Sequence, residues 1–304
     1  MIQLSTTRET LKFPQKILAY VQLMRPANIV TAWADILAGL AVSGILFDDF
    51  AILACLMIAT TGLYGGGIVF NDVFDVKLDS QERPERPLPS HRASLGGAIT
   101  LGCSLFLLGI GATVYVSFIS TILAVSVAVL ALIYDTWGKH HPLLGPLNMG
   151  LCRGGNLWLG MSASVSIVQE KWYLALIPIT YIAAITAISR GEVKGGQRIT
   201  GIVSLGLLTG VLGGLLSLNW IFADYSLAML PFWVLFAVML LPSWINAMSH
   251  PDAENIRRAV KMGVISLIIL NATIGAIFGG LTAGLSILLL FPLSKSLAQL
   301  FSVT

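Results

Sequence analysis

The chain has 304 residues, of which 56% are hydrophobic and only 11% charged, with a formal net charge of +3. Soluble domains carry roughly 25% charged residues, so this chain lacks the polar side chains that cover a soluble globular surface. The 30 glycines, 12 prolines and 3 cysteines also exclude a collagen-like or disulfide-rich chain. The composition indicates an integral membrane protein.

The N-terminal segment, residues 1–25, is predicted to be a cytoplasmic lead-in. It lacks the apolar core of a cleavable signal. Within it, residues 13–24 place four apolar side chains on one helical stripe. We predict a short amphipathic helix on the membrane surface there, followed by a single polytopic membrane domain over residues 26–304.

Apolar stretches long enough to cross a bilayer follow one another along the rest of the chain. A transmembrane helix needs about 20 mostly apolar residues. Because only helices or closed barrels satisfy their backbone in lipid, and these runs are too long for barrel strands, we predict an all-α membrane bundle. A final stretch at 284–301 is either a tenth span or a continuation of the ninth. The nine predicted spans are 27–47, 51–71, 95–116, 118–135, 146–167, 172–189, 200–218, 226–246 and 259–281.

The cations lie almost entirely on one side of this topology. Of the 18 Lys and Arg residues, 16 fall in the N-terminal segment or in alternate connections. Opposite loops such as 47–50 and 219–225 carry none. By the positive-inside rule, the N-terminus and the long polar loops are predicted to be cytoplasmic.

The second span ends in a concentrated set of polar side chains. Asn71, Asp72, Asp75 and Asp79 fall on one helical face about 100° wide. Three carboxylates on one face repel one another unless a cation lies among them, and Mg2+ commonly uses one or two carboxylates together with phosphate oxygens. The alternative, a solvated helix end, does not require three acids and an Asn with no cation between them. The pattern predicts that the three aspartates bind Mg2+.

The next loop holds Arg83 and Arg86 among three prolines. Arginine is the side chain suited to bidentate phosphate contacts. Acids for a metal beside arginines for phosphate, at the mouth of an apolar bundle, indicate a diphosphate ester with a lipidic tail. The tail is expected to lie between the helices.

These motifs resemble those of the UbiA superfamily of intramembrane prenyltransferases. Residues 71–79 match the pattern NDxxDxxxD, and residues 83–90 resemble the RP…RPLPSG sequence that follows it in the family. The resemblance covers essentially the whole chain. Weaker similarities are found at 23–28, Tyr134, 141–145 and 153–156.

The resemblance implies helices around a central cavity that opens to lipid. It implies transfer of an isoprenyl group from its diphosphate to an aromatic or other lipophilic acceptor, with Mg2+ as cofactor. Membrane lipid surrounds the protein, and we expect no nucleic acid among its partners. Asp72, Asp75 and Asp79 become the catalytic, metal-binding residues. The candidate diphosphate-binding residues are Asn28, Asn71, Arg83, Arg86, Lys139, Arg153, Glu192, Lys194 and Arg198.

The connection between the sixth and seventh predicted spans departs from the family pattern. Family members carry a second acidic motif there, DxxDxxGD. This chain has Ser189, Glu192 and Gly196 at the three acidic positions, so one carboxylate remains of three. The variant resembles the EboC-type subgroup, which is associated with bacterial secondary-metabolite export clusters. We therefore expect a bacterial cytoplasmic membrane protein.

Two interpretations of this departure remain open. In the first, nearby cations take over part of the work of a second metal ion. In the second, the protein catalyses nothing and binds or helps to translocate a lipophilic metabolite. We favour retained catalysis, because the complete first motif is a costly polar cluster to keep without use. The candidate cations are Arg190, Lys194 and Arg198.

Other polar residues lie within the predicted spans. Asn28 and Asp35 share one helical face, and Asp35 either lines the acceptor pocket or bonds to a neighbouring helix. Asp135 either adds a carboxylate to the site or caps its helix, and we favour the cap. Arg153 is predicted to meet a phosphate, with snorkelling to the interface as the alternative. Asn271 is predicted to be a helix-packing contact.

Overall fold

The structure, a computed structural model, describes residues 13–222 and 227–301. These residues form thirteen α-helices, joined by short loops and three 3-10 turns, without a β-strand. The predicted all-α fold is therefore confirmed. The helices are α1 Phe13–Met24, α2 Pro26–Ser43, α3 Phe50–Phe74, α4 Val76–Glu82, α5 Leu95–Val114, α6 Phe118–Thr136, α7 Leu144–Met161, α8 Val165–Glu170, α9 Leu176–Ser189, α10 Arg198–Phe222, α11 Leu230–Ser249, α12 Ala253–Leu288 and α13 Leu290–Phe301.

Eight helical segments within the described residues are long and apolar enough to cross a membrane. The fifth predicted span corresponds to α7, whose Asn148, Arg153 and Asn156 lower its hydropathy and lie buried in the bundle. The last two predicted stretches form one segment, Ala253–Phe301, which kinks at Gly280 where φ is 72°. The prediction of nine or ten spans is not confirmed. The polar residues of α7 and the kink at Gly280 change how the spans are divided along the chain.

Helix α2 is the most deeply packed of the apolar helices. It contacts α3, α7, α12 and α13, and 72% of its apolar window is buried. Its approach to α7 is close, since a Cβ atom added to Gly160 would lie 2.7 Å from the carbonyl oxygen of Ile36. Small residues allow membrane helices to pack at such distances. The α2–α7 contact is therefore a closely packed part of the bundle.

A small hydrophobic cluster fixes α1 against one end of the bundle. Leu23 from α1 packs with Val69 from α3 and with Leu88 from the loop after α4. The Tyr20 hydroxyl lies 3.2 Å from Oγ of Ser94, which precedes α5. Position on a membrane surface stays a prediction for α1, and residues 1–12 of the predicted lead-in lie outside the described residues.

Candidate active site

The predicted acidic residues lie where α3 gives way to α4. The helices α3 and α6 end in this region and α2 begins in it. We call it the polar end of the bundle. Asp75 separates the two helices with φ −89° and ψ 2°. Asp72 and Asp79 are both 4% exposed, and one arginine bridges them: Nη1 of Arg86 lies 2.8 Å from Asp79 and 3.4 Å from Asp72. The structure thus brings these two carboxylates together.

Arg25 joins this cluster from the start of α2. Its Nη2 lies 2.5 Å from Oδ1 of Asp72. The backbone of Arg25 is left-handed, with φ 49° and ψ 69°, a conformation that is uncommon outside glycine and often found at functional sites. Sequence reasoning placed Arg25 in a family-like segment without giving it a role. Its position directly before a helix-starting proline was the available signal.

Helix α6 and the 3-10 turn that follows it supply two further groups to the same end, Asp135 and Lys139. Nδ2 of Asn71 donates to Oδ1 of Asp135 at 2.9 Å, and Nζ of Lys139 lies 2.5 Å from Oδ1 of Asp75. The cap role favoured for Asp135 is therefore not what its side chain does here. A negative charge near a helix C-terminus interacts unfavourably with the helix dipole. The presence of an acid at position 135 was therefore the sequence signal for a role beyond capping.

The proline-containing loop after α4 is anchored onto α1. Arg92 donates to Oε1 of Gln22 at 2.8 Å and to the carbonyl oxygen of Glu85 at 2.7 Å. Pro87 and Leu88 within the loop are buried. The fixed loop explains how Arg86, seven residues from Asp79, turns back to reach it.

Arg153 lies in a different polar network, deeper in the bundle. Its Nε is 2.7 Å from Oδ2 of Asp35, and Asn156 and Asn271 each donate to that carboxylate at 2.9 and 2.6 Å. The guanidinium lies 5.3 Å from the ring centre of Tyr64, and at 1.5 Å per helical residue Tyr64 is about 12 Å along α3 from Asp72. The structure therefore places Arg153 with Asp35, away from the acidic motif.

Glu192, the surviving acid of the second motif, faces two arginines. It lines a cavity of about 400 Å³ together with Glu82, Arg83 and Arg257. Burial raises the pKa of Glu192 above its ordinary value of 4.5, while Arg83 and Arg257 oppose that rise. Arg83 is thus placed with Glu192. Arg257 from α12 is a further cation here, one that sequence reasoning counted among the cytoplasmic cations without a role at the site.

The remaining predicted contacts lie outside these clusters. Lys194 and Arg198 are exposed, and Asn28 is half-buried. Arg190 instead donates to the carbonyl oxygens of Lys139 and His141, at 3.3 and 2.5 Å. This contact holds the second-motif loop beside the end of α6.

Protein cations neutralise the first acidic motif in this arrangement. Three aspartates meet Arg25, Arg86 and Lys139. Over residues 13–222 and 227–301, no three acidic, His or Cys side chains converge closely enough to hold a metal ion by themselves. Mg2+ takes only one or two carboxylates when phosphate oxygens complete its shell. The oxygen-rich donor set therefore fits Mg2+ arriving with a diphosphate.

The structure is a bundle of apolar helices with carboxylates and cations clustered at one end. This arrangement is typical of membrane proteins that bind a ligand with a charged head group next to the lipid. The sequence profile of the UbiA prenyltransferase family matches residues 32–250, and the chain belongs to this family. It is a UbiA-type intramembrane prenyltransferase and an integral multi-pass membrane protein.

Known relatives agree with this assignment. A digeranylgeranylglyceryl phosphate synthase from Methanopyrus kandleri is 28% identical over 267 residues, covering 81% of this chain and 95% of that protein. The apo structure of a UbiA homologue from Aeropyrum pernix matches with a TM-score of 0.68 and 18% identity, covering 81% of this chain and 96% of the homologue. A UbiA homologue from Archaeoglobus fulgidus, solved with DMAPP and Mg2+, gives a TM-score of 0.54 at 13% identity, covering 88% and 98%. Membership of an EboC-type subgroup stays a prediction.

Proposed function

We propose that this protein transfers an isoprenyl group from a Mg2+-bound isoprenyl diphosphate to a lipophilic acceptor. The observation that carries the proposal is the cluster of Asp72, Asp75 and Asp79, each paired with a cation from another segment. Such a cluster holds both the carboxylates that a metal needs and the cations that a diphosphate needs. The Archaeoglobus fulgidus homologue, which binds DMAPP and Mg2+, supports the same ligands.

The acceptor is proposed from the relative rather than from the site. The Methanopyrus kandleri protein is named for a product with two geranylgeranyl groups on glyceryl phosphate. An isoprenyl glyceryl phosphate is therefore the first acceptor to test, and an aromatic lipid is the second. A role in bacterial secondary-metabolite biosynthesis or export would follow from the EboC-type resemblance.

The three aspartates are proposed to hold Mg2+, with Asn71 beside them. The bound ion would supply charge stabilisation to the leaving diphosphate. Asp72 and Asp79 are nearly buried, so their negative charges are weakly screened by water and attract a divalent cation strongly. The partly exposed Asp75, with 20% side-chain exposure, lies on the side from which a hydrated ion enters.

Arg25, Arg86 and Lys139 are proposed to bind the diphosphate itself. Guanidinium and ammonium groups have more donors than their present partners use, so each can contact a phosphate oxygen while staying near its carboxylate. Donors already fixed in place stabilise negative charge as the allylic C–O bond breaks. The surrounding apolar helices would exclude water from the resulting carbocation.

The proposed orientation places this polar end in the cytoplasm, on the side of the 16 clustered cations. Water-soluble diphosphates reach the site from there, and the isoprenyl tail extends between helices into the predicted cavity. Trapping single cysteines placed in the loops with a membrane-impermeant thiol reagent tests this orientation. Labelling of the α4–α5 loop from outside intact cells would contradict it.

The test of the function is turnover by the purified protein in detergent. Labelled geranyl, farnesyl and geranylgeranyl diphosphates are incubated with Mg2+ and the two acceptor classes, and products are identified by mass spectrometry. Asp72→Asn is expected to lower transfer at least about 100-fold. The matched control is Asp48→Asn, an exposed residue in the α2–α3 loop at the other end of the bundle.

Full turnover by Asp72→Asn would overturn the assignment of this residue. A wild-type protein that binds isoprenyl diphosphate but never releases pyrophosphate with either acceptor class would contradict the proposed donor and acceptors.

A further inference from the structure

Asp135 has one carboxylate oxygen in use and one without a partner. Oδ1 accepts the Asn71 amide at 2.9 Å, whereas Oδ2 is buried and receives no hydrogen bond from the described residues. The residue is only 4% exposed. A buried carboxylate oxygen without a donor carries the full cost of its desolvation, so the fold gains if a cation or donor arrives there.

The cation nearest in sequence does not serve this oxygen. Lys139 follows Asp135 by four residues, and its ammonium group lies 2.5 Å from Oδ1 of Asp75 instead. Asn71 and Asp75 are likewise four residues apart, so two contacts one turn apart join α3 to the end of α6. Asp135 therefore stands beside Asn71, the direct neighbour of Asp72 in the first acidic motif.

The second-motif loop lies next to the same end of α6. Arg190 donates to the carbonyl oxygens of Lys139 and His141. At Gly196, where the family has an acid, an added Cβ atom would lie 2.9 Å from Cδ1 of Ile256. An aspartate at that position would require only the end of the flexible Ile256 side chain to shift. The loop has no carboxylate at this position, while Asp135 lies at the end of α6 that the loop contacts through Arg190.

We propose that Asp135 is an additional oxygen donor to the divalent cation that enters with the diphosphate, in place of the acids missing from the second motif. This inference rests on the proposed function, since the cation and diphosphate are those of the transfer reaction. Asp135 would contribute its free oxygen, and Asn71 would keep the carboxylate in position.

The experiment measures metal binding directly, without turnover. Isothermal titration calorimetry follows Mn2+ binding to the full-length protein in detergent with inorganic pyrophosphate present. Asp135→Asn keeps an oxygen that can accept the Asn71 amide but removes the negative charge. We expect it to weaken Mn2+ binding about 10–100-fold, the size of effect seen when groups supporting a metal site are removed. Asp48→Asn is the matched control and is expected to bind as wild type does.

The outcomes separate the inference from the proposed function. Weakened binding in both Asp135→Asn and Asp72→Asn supports both. Unchanged binding in Asp135→Asn, with loss in Asp72→Asn, overturns the role of Asp135 and leaves the proposed function standing. A wild-type protein that binds no Mn2+ with pyrophosphate overturns both. Should Asp135→Asn fail to fold, Asp135→Ser keeps a smaller acceptor for Asn71, and wild-type affinity in that variant overturns the inference.

Discussion

Asp35 and Arg153 form an ion pair inside the helical bundle, with 2.7 Å between Oδ2 and Nε. Their side chains are 0% and 5% exposed, and Asn271, 236 residues away from Asp35 in sequence, donates to the same carboxylate. Together with Asn271, the pair connects α2, α7 and α12 at membrane depth. It explains why two charges remain in otherwise apolar helices.

Breaking this pair should destabilise the protein. Arg153→Met leaves the Asp35 carboxylate buried and uncompensated, so we expect the free energy of unfolding to fall by about 3–5 kcal/mol. Adding Asp35→Asn to this variant should recover much of the lost stability, because the buried negative charge is then removed. Thermal unfolding in detergent micelles measures both variants. A double variant as unstable as Arg153→Met alone would contradict the explanation.

Arg25 should be needed for transfer although no acidic motif contains it. Arg25→Gln removes a cation 2.5 Å from Asp72, and we expect turnover to fall about 10²–10³-fold, as on loss of one charge-stabilising donor. Arg25→Lys should keep only part of the wild-type turnover, since Lys lacks the planar guanidinium fork. Product formation is measured by mass spectrometry. Arg258→Gln, whose ion pair with Glu254 is exposed, is the control and should behave as wild type.

Stability should depend on the protonation of Glu192. Burial raises the pKa of Glu192 above 4.5, so the folded state holds this proton more tightly than the unfolded chain. The resulting stability is complete below pH 4.5 and is lost as the pH rises through the raised value. Glu192→Gln replaces the carboxyl group with an amide that does not ionise, so this loss of stability at higher pH does not occur in the variant.

We therefore expect Glu192→Gln to unfold at a higher temperature than wild type near neutral pH, with the difference closing below about pH 4. Differential scanning fluorimetry across this pH range provides the comparison. The exposed Glu254→Gln controls for the loss of one negative charge. Equal unfolding temperatures for Glu192→Gln and wild type at every pH would show that the burial of this carboxyl has no consequence.

The close approach of α2 and α7 should be intolerant of a methyl group. A Cβ atom at Gly160 would lie 2.7 Å from the Ile36 carbonyl oxygen, so Gly160→Ala should lower the free energy of unfolding by about 1–3 kcal/mol. Gly206 in α10 has no atom within 4 Å of such a position. Gly206→Ala should be neutral or should stabilise by up to about 1 kcal/mol. Thermal unfolding in micelles measures both variants. If Gly160→Ala unfolds at the same temperature as wild type, α2 and α7 are not tightly packed at Gly160.

Several features were determined by the sequence alone, because they depend on composition and local spacing. The low charge content required lipid as the main solvent. The i, i+3 and i+7 positions of Asp72, Asp75 and Asp79 defined an acidic motif before any packing was known. Asn271 was predicted as a packing contact, and it donates to Asp35 across the bundle.

Only the tertiary structure decided which cation meets which carboxylate. Arg25 reaches Asp72 across 47 residues of sequence, and Asn71 reaches Asp135 across 64. Spacing placed Arg153 near the expected phosphate, yet helix packing gave it Asp35 as a partner. Such contacts depend on how far each helix is shifted and rotated against its neighbours. That geometry comes from side-chain packing between segments distant in sequence, and periodicity within one helix carries no information about it.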